Sequence, residues 1–296
     1  MKKILITGIF GQVGYELQRA LAPCGTIIHA GRQEMDLANP TSIRKFLREV
    51  SPDIIVNPAA YTAVDQAEEE MDLCMAINAH APSVIAEEAK QKNTLLIHYS
   101  TDYVFDGNSR DAYSEGDLPN PLNVYGASKL AGEKAIQEIG CPHLILRTSW
   151  VYGTRGKNFL LTMLKLGREK EHLNIVSDQT GAPTWSRLIA EATAQILTKN
   201  QQQKIPSGIY HLTSGGKTSW LDFAEAIFSL YSQKNLLFKR PTLSAILAKD
   251  YKTKALRPMN SLLSHKKLNE TCAIFMPDWK AALKLCMDDL STHSSL

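Results

Sequence analysis

A short, largely apolar run followed by three spaced glycines is the feature that most constrains the fold of this chain. Residues 2–7 are β-compatible, Gly8, Gly11 and Gly14 follow at once, and residues 15–21 have the composition of a helix. Glycine permits a tight turn and lets backbone amides approach an anion, which the positive end of a helix favours. Strand, glycine turn and helix in this order are typical of a dinucleotide-binding unit.

Apolar runs of strand length recur along the chain and alternate with helix-forming segments. Further strands are predicted at 26–30, 53–57, 94–98, 143–149 and 208–212. This alternation predicts an α/β fold, a Rossmann-type doubly wound parallel sheet with right-handed crossovers. We expect an NAD(P)-binding domain over residues 1–150. Residues 151–296 would form a smaller, interleaved substrate-binding domain, with some segments returning to the first.

Composition narrows the class of partner. The 33 basic and 30 acidic residues give a net charge of +3 without long runs of one sign, which argues against nucleic acid or an anionic membrane as a partner. No stretch approaches the roughly 20 apolar residues that span a bilayer. The five cysteines are isolated and lack CxxC spacing, which indicates a reducing compartment and therefore a cytoplasmic protein.

A tyrosine and a lysine lie one helical turn apart at Tyr125 and Lys129, so both side chains point to the same face. Asn123 is placed to cap their helix. A phenol has an ordinary pKa near ~10, and a neighbouring ammonium group lowers it towards the range of an acid–base catalyst. Taken alone, such a pair is more often a surface helix with a solvated lysine.

Polar residues follow the predicted strands at the edge where parallel sheets bind ligands. Thr101 follows the fourth strand and Trp150 the fifth. Arg32 follows the second strand, where an arginine accommodates a 2′-phosphate and favours NADPH, whereas the nearby Glu34 favours NADH. Asn78 stands within the helix predicted for 71–92, either bonded to a strand-end backbone or simply exposed.

The motifs are more specific in combination than any one of them is alone. TGxxGxxG, a Ser-Thr pair after the fourth strand and YxxxK resemble the extended short-chain dehydrogenase/reductase superfamily. Within it, the chain resembles the dTDP-4-dehydrorhamnose reductase family almost from end to end. The runs that carry this resemblance are ITGxxGQVGxELQ, NPAAYTAVDxAE, YSTDYVFDG, NVYGxSKLAGE, RTSWVYG, DQxGAPT and GIYHL.

The resemblance implies NADPH-dependent reduction of the C4 ketone of dTDP-4-dehydro-L-rhamnose, with NADH also open, in the dTDP-rhamnose pathway that serves cell-surface polysaccharides such as O antigen. The implied catalytic residues are Thr101, Tyr125 and Lys129. The implied cofactor residues, besides Tyr125 and Lys129, are Gly8, Gly11, Gln12, Val13, Gly14, Arg32, Asp36, Leu37, Ala60, Tyr61 and Thr62. Thr101, Asp102 and Trp150 are implied at the dTDP-sugar. Two of these have a simpler alternative, since Asp36 would otherwise order a turn and Trp150 would cap the core.

Two positions depart from the family pattern. Pro58 stands where alanine is usual and removes a backbone donor. The family also implies a Mg²⁺-linked homodimer with carboxylates from the regions of Glu16, Arg187 and Glu191. Arg187 stands where an acid is expected, which argues against the metal and leaves a homodimer open.

Two other functions remain open at this stage. One is a nucleotide-sugar epimerase or 4,6-dehydratase that retains NAD⁺, although a dehydratase carries an acidic pair after the threonine and here Asp102 is followed by Tyr103. The other is a non-catalytic NADP-binding regulatory subunit, against which the joint presence of Thr101, Tyr125 and Lys129 argues.

Overall fold

A six-stranded parallel sheet forms the centre of the computed structural model, which describes residues 1–293. The strands of the described chain are β1 (Lys3–Thr7), β2 (Thr26–Ala30), β3 (Ile54–Asn57), β4 (Leu95–Thr101), β5 (His143–Thr148), β6 (Val151–Tyr152), β7 (His172–Val176), β8 (Thr180–Gly181), β9 (Thr184–Trp185), β10 (Gly208–His211), β11 (Thr218–Ser219) and β12 (Thr242–Ile246). Its α-helices are α1 (Gln12–Ala20), α2 (Pro40–Val50), α3 (Val64–Ala67), α4 (Met71–Met75), α5 (Ala81–Gln91), α6 (Val124–Ile139), α7 (Phe159–Glu169), α8 (Ser186–Gln202), α9 (Trp220–Lys234), α10 (Lys266–Cys272) and α11 (Trp279–His293).

The order of the central sheet is β10-β5-β4-β3-β1-β2, with every pair parallel. This confirms the predicted doubly wound class, and each predicted strand is present. Strand β2 lies on one side of β1, whereas β3 and the strands after it lie on the other side. The strand order therefore reverses between β1 and β3. The crevice at such a reversal is where open α/β sheets bind ligands.

Helices cover both faces of the sheet, which explains why the three central residues of β1 are all apolar. Ile4 and Ile6 face the core on the side of α1 and α8, whereas Leu5 faces the core on the side of α2, α5 and α6. All three side chains have no exposed surface. Full burial of each contributes about 1.5–3 kcal/mol, which is why strands covered on both faces read as continuous apolar runs.

A third apolar cluster lies beyond residue 150, among α7, α9, α11 and β7. Its buried aromatic residues include Tyr152, Phe223 and Trp279. A small parallel pair, β7 with β12, borders it. Strand β10 returns from this part of the chain to the central sheet beside β5. The domain limits at residues 1–150 and 151–296 stay a prediction.

The structure differs from the sequence expectation in three connecting regions. The helix expected over 71–92 is interrupted by a π-helical turn, Ala76–His80, between α4 and α5. The segment 199–206, expected as a linker, continues α8 to Gln202. Strands β7 and β12 were not expected, because their alternation of buried and exposed residues is short and weak.

Candidate active site

A cavity of about 650 Å³ lies at the carboxyl ends of β1, β3, β4 and β5, in the crevice of the order reversal. Twelve residues predicted from the sequence line it: Gly8, Gly11, Gln12, Val13, Gly14, Ala60, Thr62, Thr101, Asp102, Tyr125, Lys129 and Trp150. The glycine turn, the ends of β3, β4 and β5, and the start of α6 therefore meet at one opening. Two buried hydroxyls of its wall, Ser100 Oγ and Thr148 Oγ1, have no hydrogen-bond partner within the described residues, which suits a polar ligand.

The glycine turn is shaped for close approach. Gly8 has φ +55°, and a Cβ on Gly14 would lie 2.2 Å from the Gly8 carbonyl oxygen, so neither position accommodates a larger residue in this conformation. Gly11 caps α1 without any side-chain hydrogen bond, so the first amides of α1 remain available to a ligand. A turn and helix end of this kind fit a pyrophosphate.

Gln12 ties the glycine turn to the part of the chain beyond residue 150. Its Oε1 accepts a hydrogen bond of 2.9 Å from Asn158 Nδ2. Asn158 also caps α7 by accepting from Leu161 N at 3.0 Å. One side of the cavity opening, which includes Gly156 and Lys157, is thereby held against the turn.

Thr101 ends β4 and lies at the centre of a polar group. Its hydroxyl donates to Asp102 Oδ1 at 3.1 Å and accepts from Tyr103 N at 3.2 Å. Burial raises the pKa of the Asp102 carboxyl to about 6, against the lowering effect of hydrogen bonds from Ser261 and Thr101. The Asp102 carboxyl therefore keeps its proton to a higher pH than an exposed aspartic acid does.

Tyr125 stands in the first turn of α6, where Asn123 caps the helix as predicted by accepting from Gly126 N at 2.8 Å. Burial raises the pKa of the Tyr125 phenol, and a hydrogen bond with Thr101 opposes this rise. The sequence led us to expect lowering by Lys129. The physical reason for the difference is that desolvation of the phenolate outweighs the neighbouring groups, so the phenol keeps its proton, as a general acid requires.

Lys129 is 2% exposed, and its ammonium group faces β4 rather than solvent. Nζ donates to the Tyr99 carbonyl oxygen at 2.6 Å and lies 3.2 Å from His98 Nε2. Burial lowers the pKa of Lys129 to about 8. Sequence reasoning did not identify His98, whose only signal was a histidine inside an apolar strand.

Trp150 has the left-handed backbone conformation, φ +48°, which is uncommon for a bulky residue, and such strained positions cluster at functional sites in proteins. Its ring stacks on Trp220 with centroids 3.5 Å apart and an angle of 7° between planes. Trp220 lines a second cavity of about 710 Å³, together with Phe159, Leu173 and Arg257. The Trp150–Trp220 stack thus stands between the two cavities.

Four predicted cofactor residues do not line the cavity: Arg32, Asp36, Leu37 and Tyr61. Arg32 is exposed and makes no ion pair within residues 1–293, whereas Glu34 accepts from the amide of Gly31 at 2.8 Å. Asp36 accepts from the Ala38 amide at 3.0 Å, which orders the turn. The cofactor roles of these residues stay predictions.

Tyr61 points away from the cavity. Its hydroxyl donates to Glu70 at 2.8 Å, and its backbone is held by Asn78 through bonds of 2.9 Å and 3.0 Å. Of the two alternatives left open for Asn78, the structure has the side chain buried and bonded to the backbone that follows β3. The π-helical turn places the Asn78 side chain in the protein interior, and such turns are frequent at functional sites.

The cavity also has lining residues that the sequence reasoning missed: Phe10, Val64, Gly156 and Lys157. Pro58 has no amide N–H to offer a ligand. The next amide, Ala59 N, donates to Thr7 Oγ1 at 3.3 Å, so it is engaged within the protein. Only a structure connects Gly156 and Lys157 with the glycine turn, because more than a hundred residues separate them.

The region from which the family resemblance implied a metal does not suit one. Arg187 forms ion pairs with Glu16 at 3.2 Å and with Asp289 at 2.9 Å. A guanidinium already between the two acids is their counter-ion and would repel a cation. Within residues 1–293 there is no cluster of three or more His, Cys, Asp or Glu side chains suited to a metal. In the same described part, no helix is long and apolar enough to cross a membrane.

Comparison with known proteins gives a consistent result. The family model described as RmlD substrate binding domain matches residues 1–292. A dTDP-4-dehydrorhamnose reductase of Burkholderia thailandensis is 45% identical, over 97% of this chain and 99% of that protein. One of Escherichia coli K12 is 43% identical over 99% of each.

Solved structures agree. The dTDP-4-dehydrorhamnose reductase of Bacillus anthracis, crystallised with NADP, has a TM-score of 0.89 and 35% identity, covering 97% of this chain and 99% of that one. UDP-glucose 4-epimerase of Thermus thermophilus with NAD shares the fold, with a TM-score of 0.79 at 19% identity over 98% of this chain and 99% of that one.

Proposed function

This chain belongs to the RmlD substrate-binding-domain family, whose relatives are dTDP-4-dehydrorhamnose reductases, and we propose that it reduces the C4 ketone of dTDP-4-dehydro-L-rhamnose to dTDP-L-rhamnose with NADPH. The single observation that carries the proposal is that Thr101, Tyr125 and Lys129 line the same cavity as the glycine turn. A reductase of this kind needs its proton donor within reach of the nicotinamide end of the cofactor.

NADPH, when bound, supplies the hydride. The chain would hold its pyrophosphate at Gly8, Gly11, Gln12, Val13 and Gly14, where a turn without side chains meets the free amides of α1. Ala60 and Thr62 lie at the end of β3 on the wall of the same cavity. We assign Arg32 to the 2′-phosphate, since it is exposed and unpaired among the described residues while Glu34 is engaged by the Gly31 amide.

Tyr125 is the general acid in this proposal. Its raised pKa keeps the phenol protonated until an alkoxide develops on the substrate, and a protonated donor is what ketone reduction consumes. Thr101 stands beside Tyr125, and its hydroxyl would stabilise the phenolate that forms once Tyr125 has given up its proton. Lys129 offers N–H groups to the cavity wall beneath Tyr125, so that the two residues act on one side of the substrate.

The second cavity is our proposed place for the nucleotide part of the substrate. It lies across the Trp150–Trp220 stack from the first and is lined by Arg257 and aromatic groups, which suit a diphosphate and a base. Arg257 is oriented by a bidentate pair with Asp65, at 3.0 Å and 2.9 Å. Asp102 and Trp150 would contact the sugar between the two cavities.

The rival enzymatic function is an epimerase, whose fold the chain shares. An epimerase returns the hydride to its product and consumes no reduced cofactor. The identity of 45% and 43% to two dTDP-4-dehydrorhamnose reductases, against 19% to the epimerase, favours the reductase. A silent cofactor-binding subunit would have no need of Thr101, Tyr125 and Lys129 in one cavity.

We propose that the reaction is independent of Mg²⁺, because Arg187 satisfies the acids that would bind it. A homodimer, if formed through this region, would be held by contacts other than a shared metal. We place the enzyme in the cytoplasm, since its five cysteines are all free thiols, as a reducing compartment requires.

An assay of NADPH oxidation with dTDP-4-dehydro-L-rhamnose separates the three functions. The proposal expects one NADPH oxidised for each dTDP-L-rhamnose formed, a rate unaffected by a chelator, and weaker activity with NADH. Conversion of the sugar without net oxidation of NADPH would indicate an epimerase. Cofactor binding without any conversion would indicate a regulatory subunit.

A further inference from the structure

A segment without secondary structure, residues 252–258, forms part of the wall of the second cavity. Thr253, Leu256 and Arg257 of this segment line that cavity. Within residues 1–293 the segment makes no backbone–backbone hydrogen bond, so neither a strand nor a helix fixes its path. It is held instead by side chains that come from the first 150 residues. We call residues 252–258 the tethered segment.

Two acidic residues attach the tethered segment to α3 and to the turn that follows it. Asp65 of α3 accepts from Ala255 N at 3.1 Å and also forms the bidentate pair with Arg257. Glu69, two residues after the end of α3, forms an ion pair with Lys254. Ala255 is only 1% exposed, so the segment is closed down on α3 at this point.

Asn123 makes a further attachment and is at the same time the N-cap of α6. Its Oδ1 accepts from Gly126 N at 2.8 Å, and its Nδ2 donates to the Leu256 carbonyl oxygen at 2.7 Å. A backbone N–H only donates and a carbonyl only accepts, so these two partners fix the orientation of the Asn123 side chain. Aspartate and serine cap helices about as well as asparagine, but aspartate has no donor and serine has a single polar atom, which the cap already uses. The tethered segment, rather than the cap, therefore accounts for an asparagine at this position.

The start of α6 is the fixed side of this contact. A Cβ on Gly126 would lie 2.1 Å from the Tyr103 carbonyl oxygen, so α6 packs directly against the turn after β4. Glu68 Oε1 accepts from Val124 N at 2.9 Å and satisfies another amide of the first turn. The tethered segment, in contrast, has only its side-chain attachments. Loss of the Asn123 amide would therefore displace the segment and leave α6 in place.

We propose that Asn123 is a positioning residue, which sets the place of the tethered segment on the wall of the second cavity and thereby the affinity for the nucleotide part of the substrate. The effect on affinity rests on the proposed function, which assigns the nucleotide to this cavity. The attachment of the segment does not, so the two ideas fail separately. Asn123 is more informative than Arg257, because replacement of Arg257 would also remove a direct contact with the substrate.

The first experiment measures the attachment without any ligand. Trypsin cleaves after lysine, and Lys252 and Lys254 lie in the tethered segment. Asn123→Ser keeps a good N-cap and loses one hydrogen bond to the segment, so we expect cleavage at these two sites, followed by mass spectrometry, to be about three- to tenfold faster than in the wild type. Unchanged cleavage in the folded variant would overturn the proposal, whatever the protein catalyses.

Asn39 offers the matched control. It caps α2 by accepting from Thr41 N at 3.0 Å and from Ser42 N at 3.2 Å, and its Nδ2 makes no hydrogen bond within the described residues. Asn39→Ser should therefore leave both the cleavage of the tethered segment and the affinity for the substrate as they are in the wild type. An equal change in this control would assign the effect to helix capping and would contradict the proposal.

The second experiment compares KM and kcat for NADPH-dependent reduction of dTDP-4-dehydro-L-rhamnose. We expect Asn123→Ser to raise KM for the sugar nucleotide about three- to tenfold, while kcat and KM for NADPH change by less than about twofold. A fall in kcat with no change in KM for the sugar nucleotide would show that Asn123 acts on α6 and Tyr125, and would overturn its assignment to substrate affinity.

Asn123→Asp, an equally good cap without a donor, replaces Asn123→Ser in both experiments if the serine variant does not fold. A wild type without reductase activity would refute the proposed function. The cleavage rates would then still decide whether Asn123 holds the tethered segment.

Discussion

Glu133 and Arg147 form a bidentate ion pair with both side chains only 1% exposed, one on the catalytic helix and one on the neighbouring strand. Removal of one partner leaves an uncompensated charge in the core. We expect Glu133→Gln to lower the free energy of unfolding by about 3–5 kcal/mol, measured by urea titration. Replacement of both residues by apolar ones, Glu133→Leu with Arg147→Met, should cost less than the single change. Equal loss in both would contradict this account.

The ion pairs of Arg187 should contribute to the stability of the protein. It is paired with Glu16, which is 4% exposed, and with Asp289 of α11. Arg187→Ala leaves the acids without their counter-ion, and we expect a loss of roughly 1–3 kcal/mol in the free energy of unfolding. Lys45→Ala, which removes a surface pair with Glu49, is the control and should change it by less than about 0.5 kcal/mol.

The melting temperature, measured with and without Mg²⁺, tests whether the region of Arg187 binds the metal. Mg²⁺ should not raise the melting temperature of the wild type, whereas Arg187→Glu, which completes an acidic group with Glu16 and Asp289, should gain stability on addition of Mg²⁺. Stabilisation of the wild type by Mg²⁺ would show that Arg187 does not replace the ion.

Asp102 gives the stability of the protein a pH dependence. Its pKa is raised from 3.8 to about 6 by burial, so the folded state binds a proton that the unfolded state releases. The resulting stability is fully present below pH 4 and is lost as pH rises through 6. Asp102→Asn should remove this component, worth up to about 3 kcal/mol. Urea titrations at several pH values should show the difference between wild type and variant changing between pH 4 and 7. A constant difference would contradict the prediction.

Arg32 is predicted to select NADPH. Loss of a charge-assisted bond to a 2′-phosphate costs about 1.5–3 kcal/mol, so Arg32→Ala should raise KM for NADPH by roughly ten- to a hundredfold and leave KM for NADH nearly unchanged. Glu34→Gln is the matched control in the same loop. A parallel rise for both cofactors would assign Arg32 to another role.

The sequence was sufficient wherever one local rule applied. The apolar residues 54–56 lie in a fully buried strand, Asn123 caps α6, and the glycines occupy the turn that their spacing indicates. Each depends on neighbours within a few residues, which a pattern can record.

The features that the sequence did not predict depend mostly on residues that are far apart in the chain or on burial. His98 contacts Asn57, which in turn bonds Thr7, and both lie more than forty residues earlier in the chain. A lone histidine in a strand gives no sign of such contacts. The π-helical turn contains Asn78, whose side-chain amide binds the backbone of Tyr61, a partner that lies in a different segment of the chain. The pKa of Tyr125 is raised rather than lowered because of burial, which no motif records.

The central claim is that Tyr125 gives its proton to the reduced ketone, and one measurement tests it most directly: kcat for NADPH-dependent reduction of dTDP-4-dehydro-L-rhamnose by Tyr125→Phe. The change removes the hydroxyl and keeps the ring against Tyr103, where the centroids are 5.5 Å apart. Tyr231→Phe, on α9 away from the cavity, serves as the control. We predict that kcat falls by roughly 10²–10⁴-fold in Tyr125→Phe and is retained in the control. Near-full turnover by Tyr125→Phe would contradict the account.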